Sequence, residues 1–331
     1  MVRSSLAPSR SPDVTVVLCT WNRATLLEGA LAALVAQTDP PDHEVVVVDN
    51  DSTDDTRRVI DRYAAAHPQV RCVFEGAAGL SHARNAGVAH TTGRVVAFTD
   101  DDVRVPPDWL REIARTSERY PDAAFFGGPV LPEWPGTVPA WLTDERWSAL
   151  GVQSYGAEPF RVDERRPVCL IGANLVLRRS ALASIGPFSP AVQRIHDGIG
   201  STEDDEYHRR LWAAGAQGVY EPRLRVSAVV TPARLTRSYH RRWHFGHGRH
   251  VARMRIPEVE RARLRMLGIP SHLVRQACVD ALQTLRGRLQ RDAARAFASE
   301  LRLWFTAGFI RERLGGGPAH VAAAFRRPWA G

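Results

Sequence analysis

An open, mixed but mostly parallel α/β sheet with flanking helices and a C-terminal helical extension is the fold this sequence predicts, on three observations. From Asp13 to about Phe126, short apolar runs alternate with helix-like segments. The runs are continuous and β-branched, as in the four valines at 45–48, and beyond about Pro257 they give way to basic helical periodicity. Continuous valines suit strands buried on both faces, and strand–helix alternation suits parallel pairing through crossover helices. The expected organisation is a flexible N-terminus over 1–12, an α/β domain over 13–256 and a basic helical extension over 257–331.

In chain order, 14–19 reads as a strand, 23–36 as a helix, 45–48 as a strand and 53–66 as a helix, with Ser52 or Thr53 as cap and Asp54 and Asp55 at its positive end. Residues 94–99 form a further strand, after which the chain turns through Asp100, Asp101, Asp102 and Pro106-Pro107 into a helix starting near Asp108. The Gly-, Pro- and Trp-rich stretch 127–170 reads as long loops and short elements, the kind of segment that carries substrate contacts. Tyr207, Leu211 and Trp212 define a helical stripe, with Ser201 or Thr202 before it as a cap. Two more stripes follow, Cys278, Leu282, Leu285 and Leu289 on one helix and Phe297, Leu301, Trp304, Phe305 and Phe309 on the next.

The chain has 331 residues, enough for a substantial core, and a formal charge of +8, which points to an anionic partner such as a phosphorylated substrate, an acidic membrane surface or nucleic acid. Cys19, Cys72, Cys169 and Cys278 lie far apart without metal-binding spacing, so neither a zinc site nor a disulfide framework is expected. The opening residues lack the apolar core of a signal peptide, and no stretch approaches the roughly 18 apolar residues of a membrane span. A cytoplasmic protein, peripheral at most to the inner face of a membrane, is the expectation.

Carboxylates carry the chemistry. Asp49 follows directly on four valines, where an acid risks desolvation unless its acceptor oxygens are used, for instance by a base edge or a ribose. Asp100, Asp101 and Asp102 repel one another, and a hard divalent cation that also binds a diphosphate would relieve the repulsion. Glu203 and Asp204 fall in the first turn of a helix, where they either meet the helix dipole or, beside the aspartate triplet, supply a general base for a hydroxyl. Asp49 and the triplet sit at the carboxyl ends of strands, where open α/β sheets bind ligands.

Six segments in order, VVLCTWNR, EVVVVDNDSTDDT, GLSHARNAGVAHTTG, VVAFTDDDVRVPPDWL, GANLVLRRSALASIGPF and TEDDEYHRRLWAAG, resemble the family-2 glycosyltransferases, inverting enzymes of the nucleotide-diphospho-sugar transferase (GT-A) fold, over roughly residues 13–245. The resemblance implies a nucleotide-diphosphate sugar donor, a hydroxyl acceptor of unknown kind, and Mg²⁺ or Mn²⁺ as cofactor. It implies that Thr20, Asn22 and Arg23 line the nucleotide pocket, that Asp49 meets the base, and that Arg84 and Asn85 approach the base or phosphates. Asp100 would face the ribose, Asp102 would be the direct metal ligand with Asp100 beside it, Asp101 would support, and Asp204 would be the base. Gly172, Ala173 and Asn174 match a segment beside the donor sugar.

The sequence departs from the family where many relatives carry a histidine, near 226–230, which here reads VSAVV; His240, His244, His247 or His250 could substitute as a third ligand. A dinucleotide-binding oxidoreductase needs GxGxxG after its first strand, and this strand leads into TWNRATLL. A sugar nucleotidyltransferase shares the need for paired aspartates and metal, and a degenerate transferase that binds donor without turnover is a further alternative. No nucleic-acid module is recognisable, so no nucleic-acid partner is expected. Peripheral membrane contact through the C-terminal helices is expected from aromatics and arginines in one region.

Overall fold

The computed structural model describes residues 11–143, 148–196 and 198–315, so the flexible N-terminus expected over 1–12 lies outside it except for its last two positions, as does the end of the extension. The leading units are β1 (Val14–Thr20), α1 (Ala24–Val35), β2 (His43–Asp49), α2 (Thr56–Ala66), β3 (Val70–Phe74), α3 (Leu80–Ala89) and β4 (Val95–Asp100). β5 (Val103–Arg104), α4 (Trp109–Arg119), β6 (Phe125–Gly127), β7 (Val130–Glu133), β8 (Phe160–Val162), β9 (Leu175–Arg178) and α5 (Arg179–Ile185) follow. The remainder is α6 (Glu203–Ala213), β10 (Gly218–Tyr220), β11 (Val226–Val229), α7 (Arg237–Met254), α8 (Pro257–Glu260), β12 (Arg265–Met266), β13 (Ile269–Pro270), α9 (Ser271–Leu289) and α10 (Ala293–Leu314).

The main sheet has the order β3-β2-β1-β4-β9-β6-β10-β8. β3, β2, β1 and β4 run parallel, β9 runs antiparallel between β4 and β6, and β8 closes the edge antiparallel to β10. This is the expected mixed, mostly parallel sheet. Strand periodicity divides the valines between two cores: Val16, Leu18, Val45 and Val47 pack on one face, Val17, Cys19, Val46 and Val48 on the other. A smaller sheet, β5-β11-β7, abuts the carboxyl end of β4, and Val229 N–H donates to the Asp102 carbonyl at 2.8 Å.

The second helix begins at Thr56 rather than near residue 53, and Ser52 and Thr53 do not cap it. Their polar groups serve the neighbouring turn instead. Asn22, at φ 51°, accepts from Thr53 N–H at 2.7 Å, while Ser52 Oγ accepts from Asn22 N–H at 3.0 Å. Thr202 likewise precedes α6 without a side-chain capping bond, and its hydroxyl is buried without a partner.

The helical extension props α7. Gly248 of α7 lies so close to the Phe305 backbone, and Gly308 of α10 to the Phe245 backbone, that a Cβ at either would collide. Of the α10 stripe, Phe297, Leu301 and Phe309 are buried, whereas the α9 stripe faces outward, with Leu282 69% and Leu289 76% exposed. No described helix is long and apolar enough to cross a membrane.

Candidate active site

A cavity of ≈ 1050 Å³ opens at the carboxyl ends of β1 and β4. Thr20, Asn22, Arg23, Arg84, Asp100, Asp101, Asp102 and Asp204 all line it, brought together from the ends of β1 and β4, the turns that follow them, and helices α3 and α6. Asp100 is the last residue of β4, opposite Cys19, so Asp101 and Asp102 occupy the short connection into β5.

Asp101 and Asp102 are buried, Asp100 is half-buried, and the triplet is partly neutralised by protein groups. Thr20 Oγ1 donates to Asp101 at 2.8 Å, Arg23 reaches Asp101 at 3.3 Å and Asp102 at 3.2 Å, and Arg234 reaches Asp102 at 2.9 Å. Burial pushes Asp101 up to about 7, with Asp102 and Asp100 adding to the rise and Arg23 opposing it. Burial also raises Asp100, against the pull of Arg84. Burial would raise Asp102 too, but Arg234, Arg23 and Arg194 together hold it below the ordinary carboxylate value. Crowded, dehydrated carboxylates of this kind are a fitting donor set for a hard divalent cation. Among the described residues no three His, Cys, Asp or Glu side chains form a ready metal cage. The β11 strand presents Ala228 to the cavity at the departure from the family pattern; His244 and His247 line another wall, whereas His240 and His250 do not.

Asp204, at the start of α6, is tied on both oxygens. Arg84 pairs with Oδ1 at 2.6 Å and Gly172 N–H donates to Oδ2 at 2.9 Å. The Arg84 guanidinium is 3% exposed and lies over the Phe188 and Phe98 rings, a cation–π setting that fixes its plane. Gly172 is required there, because a Cβ would run into that guanidinium. Beside Asp204, Glu203 is buried with Oε2 unpartnered; burial raises its pKa and Asp204 adds to the effect.

Three expected contacts point elsewhere. Asp49 is buried and accepts from Ser52 N–H at 3.0 Å, and its neighbour Asn50 lines the cavity in its place. Asn85, about 100° further round α3 than Arg84, is bonded to both backbone groups of Phe188, at 2.8 and 2.9 Å, and so positions the ring under Arg84 rather than facing the cavity. Asn174 is buried and accepts from Trp109 Nε1 at 3.1 Å, leaving Gly172 N–H and Ala173 as that segment's contribution.

Sequence reasoning passed over Arg194 and Arg234, isolated in irregular segments, and named His244 and His247 only as substitute metal ligands rather than as part of a wall formed by α7. Tyr239, Arg242, Trp243, His244 and His247 of that helix line the cavity, and Trp243 stacks on His247 at 4.7 Å. The only signal was the density of aromatic and basic residues, which reads equally as a surface segment. A second stack, Trp21 on His196 at 4.4 Å, also lines the cavity.

Residues 15–186 match the family model "Glycosyl transferase family 2". A glucosyl-dolichyl phosphate glucuronosyltransferase of Haloferax volcanii is 27% identical over 217 residues, 65% of this chain and 68% of the relative. The succinoglycan biosynthesis protein ExoM of Rhizobium meliloti is 28% identical over 257 residues, 74% and 77% respectively. Among solved structures, the mannosyltransferase PcManGT of Pyrobaculum calidifontis in complex with GDP-Man and Mn²⁺ superposes with a TM-score of 0.61 at 20% identity, covering 94% of this chain and 90% of that one. GalNAc-T7 with UDP, GalNAc and Mn²⁺ gives 0.51 at 16% identity over 74% and 48%. These two likenesses establish the GT-A architecture.

Proposed function

The chain belongs to glycosyl transferase family 2, and from that premise we propose that it moves a sugar from a nucleotide-diphosphate donor to an acceptor hydroxyl by a single inverting displacement. It is a glycosyltransferase; donor, metal and base are the reading argued here. The observation that carries it is the convergence of the aspartate triplet and Asp204 on one cavity, with Arg84 and Arg194 lining it between them.

Asp204 would take the proton of the acceptor hydroxyl as that oxygen attacks the anomeric carbon. Arg84 and Gly172 N–H hold its carboxylate in one plane, and each oxygen keeps a lone pair for the incoming proton. The bond to the departing diphosphate breaks with its electron pair on the phosphate oxygen. Arg194, which makes no ion pair among the described residues, would meet that charge as it develops. Asp102 and Asp100 would hold Mg²⁺ or Mn²⁺. When bound, the cation supplies Lewis-acid stabilisation of the leaving group.

A thermal-shift screen of UDP-, GDP-, dTDP- and CMP-sugars with and without Mn²⁺ tests the donor and metal, since a ligand bound by the folded state raises apparent stability. A shift that needs both is expected, and it should vanish in Asp102→Asn. Release of pyrophosphate rather than nucleoside diphosphate on turnover would replace this reading with nucleotidyl transfer.

A further inference from the structure

Helix α9 is amphipathic in the reverse sense. Its three fully buried residues are Asp280, Thr284 and Gly287, and they meet α10 through polar and small contacts. Arg302 of α10 pairs with Asp280 at 2.7 Å and also bonds Gln283 at 3.0 Å, while Gly287 lies against the Ala296 backbone. On the opposite side of the same helix, Leu282, Leu285 and Leu289 stand 57–76% exposed in one stripe. Leu273 and Val274 in the first turn pack inward, so the reversal covers the rest of the helix. An isolated exposed leucine is ordinary, but a stripe turned outward while the helix buries an aspartate is not.

The segment leading into α9 repeats the pattern. The β12–β13 hairpin turns at Leu267 and Gly268, both with positive φ, a position normally taken by Asn, Asp or Gly. Leu267 at that tip is 82% exposed, with Leu264 at 73% and Met266 at 59% beside it. Residues 261–291 contain seven arginines against a single acid, the buried Asp280. Arg265 is paired with Glu260 and Arg288 with Glu300, but Arg261, Arg263, Arg275 and Arg286 are exposed and make no ion pair among the described residues.

We propose that the β12–β13 hairpin and the outward stripe of α9 form a docking surface for an anionic lipid bilayer, with the leucines entering the headgroup–acyl boundary and the arginines meeting the phosphates. Apolar side chains flanked by arginines on a helix too short of hydrophobic residues to span are the composition of an interfacial element. A second copy of the chain would satisfy the leucines but bring two faces of equal positive surplus together. A polyanion such as nucleic acid would satisfy the arginines and leave the leucines in water. The face expected from sequence, on α10, is instead largely committed to the core through Phe297, Leu301 and Phe309.

The test is sedimentation of the full chain with vesicles of phosphatidylglycerol and phosphatidylcholine, and with phosphatidylcholine alone. Binding to the anionic vesicles at low salt, weakening as salt is raised, is expected. Leu282→Gln/Leu285→Gln/Leu289→Gln and Arg261→Gln/Arg263→Gln/Arg275→Gln should each bind roughly tenfold more weakly or worse, with unchanged unfolding temperature because the replaced side chains are exposed. No binding to anionic vesicles, or undiminished binding by the leucine variant, overturns the proposal. So does a dimer in analytical ultracentrifugation that the leucine variant dissolves, or oligonucleotide binding without vesicle binding. Vesicle binding requires neither donor nor turnover, so its outcome is separate from the reading of the cavity.

Discussion

Helices α6 and α9 have the same periodicity and opposite orientation. α6 buries Tyr207, Leu211 and Trp212 and directs its N-terminal acids into the cavity, whereas α9 buries Asp280 and turns its leucines out. The difference lies in what each helix packs against. α6 faces an apolar cluster that includes Phe125, Leu170 and Phe188, and α9 faces an α10 flank carrying Ser299 and Arg302. A helical stripe therefore identifies an amphipathic helix, while its neighbour decides whether the stripe is core or contact surface.

The largest effect expected within this comparison is at the N-terminus of α6. Asp204→Asn should lower turnover by about 10²–10⁴-fold, the range for loss of a general base, while the donor-induced thermal shift persists; equal loss of donor binding would remove Asp204 from that role. Leu211→Ala, a fully buried truncation in the same helix, should cost about 2–5 kcal/mol by denaturant unfolding.

Helix α7 stands between the two regions, and a half-buried histidine on it gives the comparison a pH dependence. Burial lowers His247 from 6.5 to about 4, with His244 adding to the effect. Its folded pKa is depressed, so the stability tied to its neutral form is complete above 6.5 and is lost as pH falls toward about 4, because the unfolded chain takes up a proton that the folded chain excludes. Denaturation midpoints should fall between about pH 7 and about pH 5, and less so in His247→Gln. A wild-type slope that the variant leaves unchanged would assign the effect to other groups.

The smallest effect is the sharpest contrast. Leu282→Ala repeats the Leu211 substitution on a residue 69% exposed, and stability should change by no more than about 0.5 kcal/mol. A loss comparable to that at Leu211 would mean that the α9 stripe is covered in the free protein.

Much of the candidate site was legible because its signals are local. The valine runs set strands buried on both faces, and the acids that follow them fall at strand ends whatever the distant packing, so the triplet could be named from sequence, while Asp204, in the first turn of a helix, was named through the family resemblance. Side-chain direction was less legible. Asp49 and Asn85 sit in the expected segments, yet their carboxylate and amide are used by Ser52 and Phe188, an outcome set by the turn at Ser52 and the rotation of α3.

The sequence by itself therefore determined the α/β fold, the order of its leading elements and the place of the aspartate triplet at the carboxyl end of a strand, because hydrophobic periodicity and turn chemistry act over a few residues. Tertiary structure alone decided that Arg84 grips Asp204 across 120 positions, that Arg234 reaches Asp102 across 132, that α7 walls the cavity, and that α9 presents its leucines outward. Those outcomes depend on which surfaces meet, and a residue's own neighbours in the chain do not encode what will be packed against it.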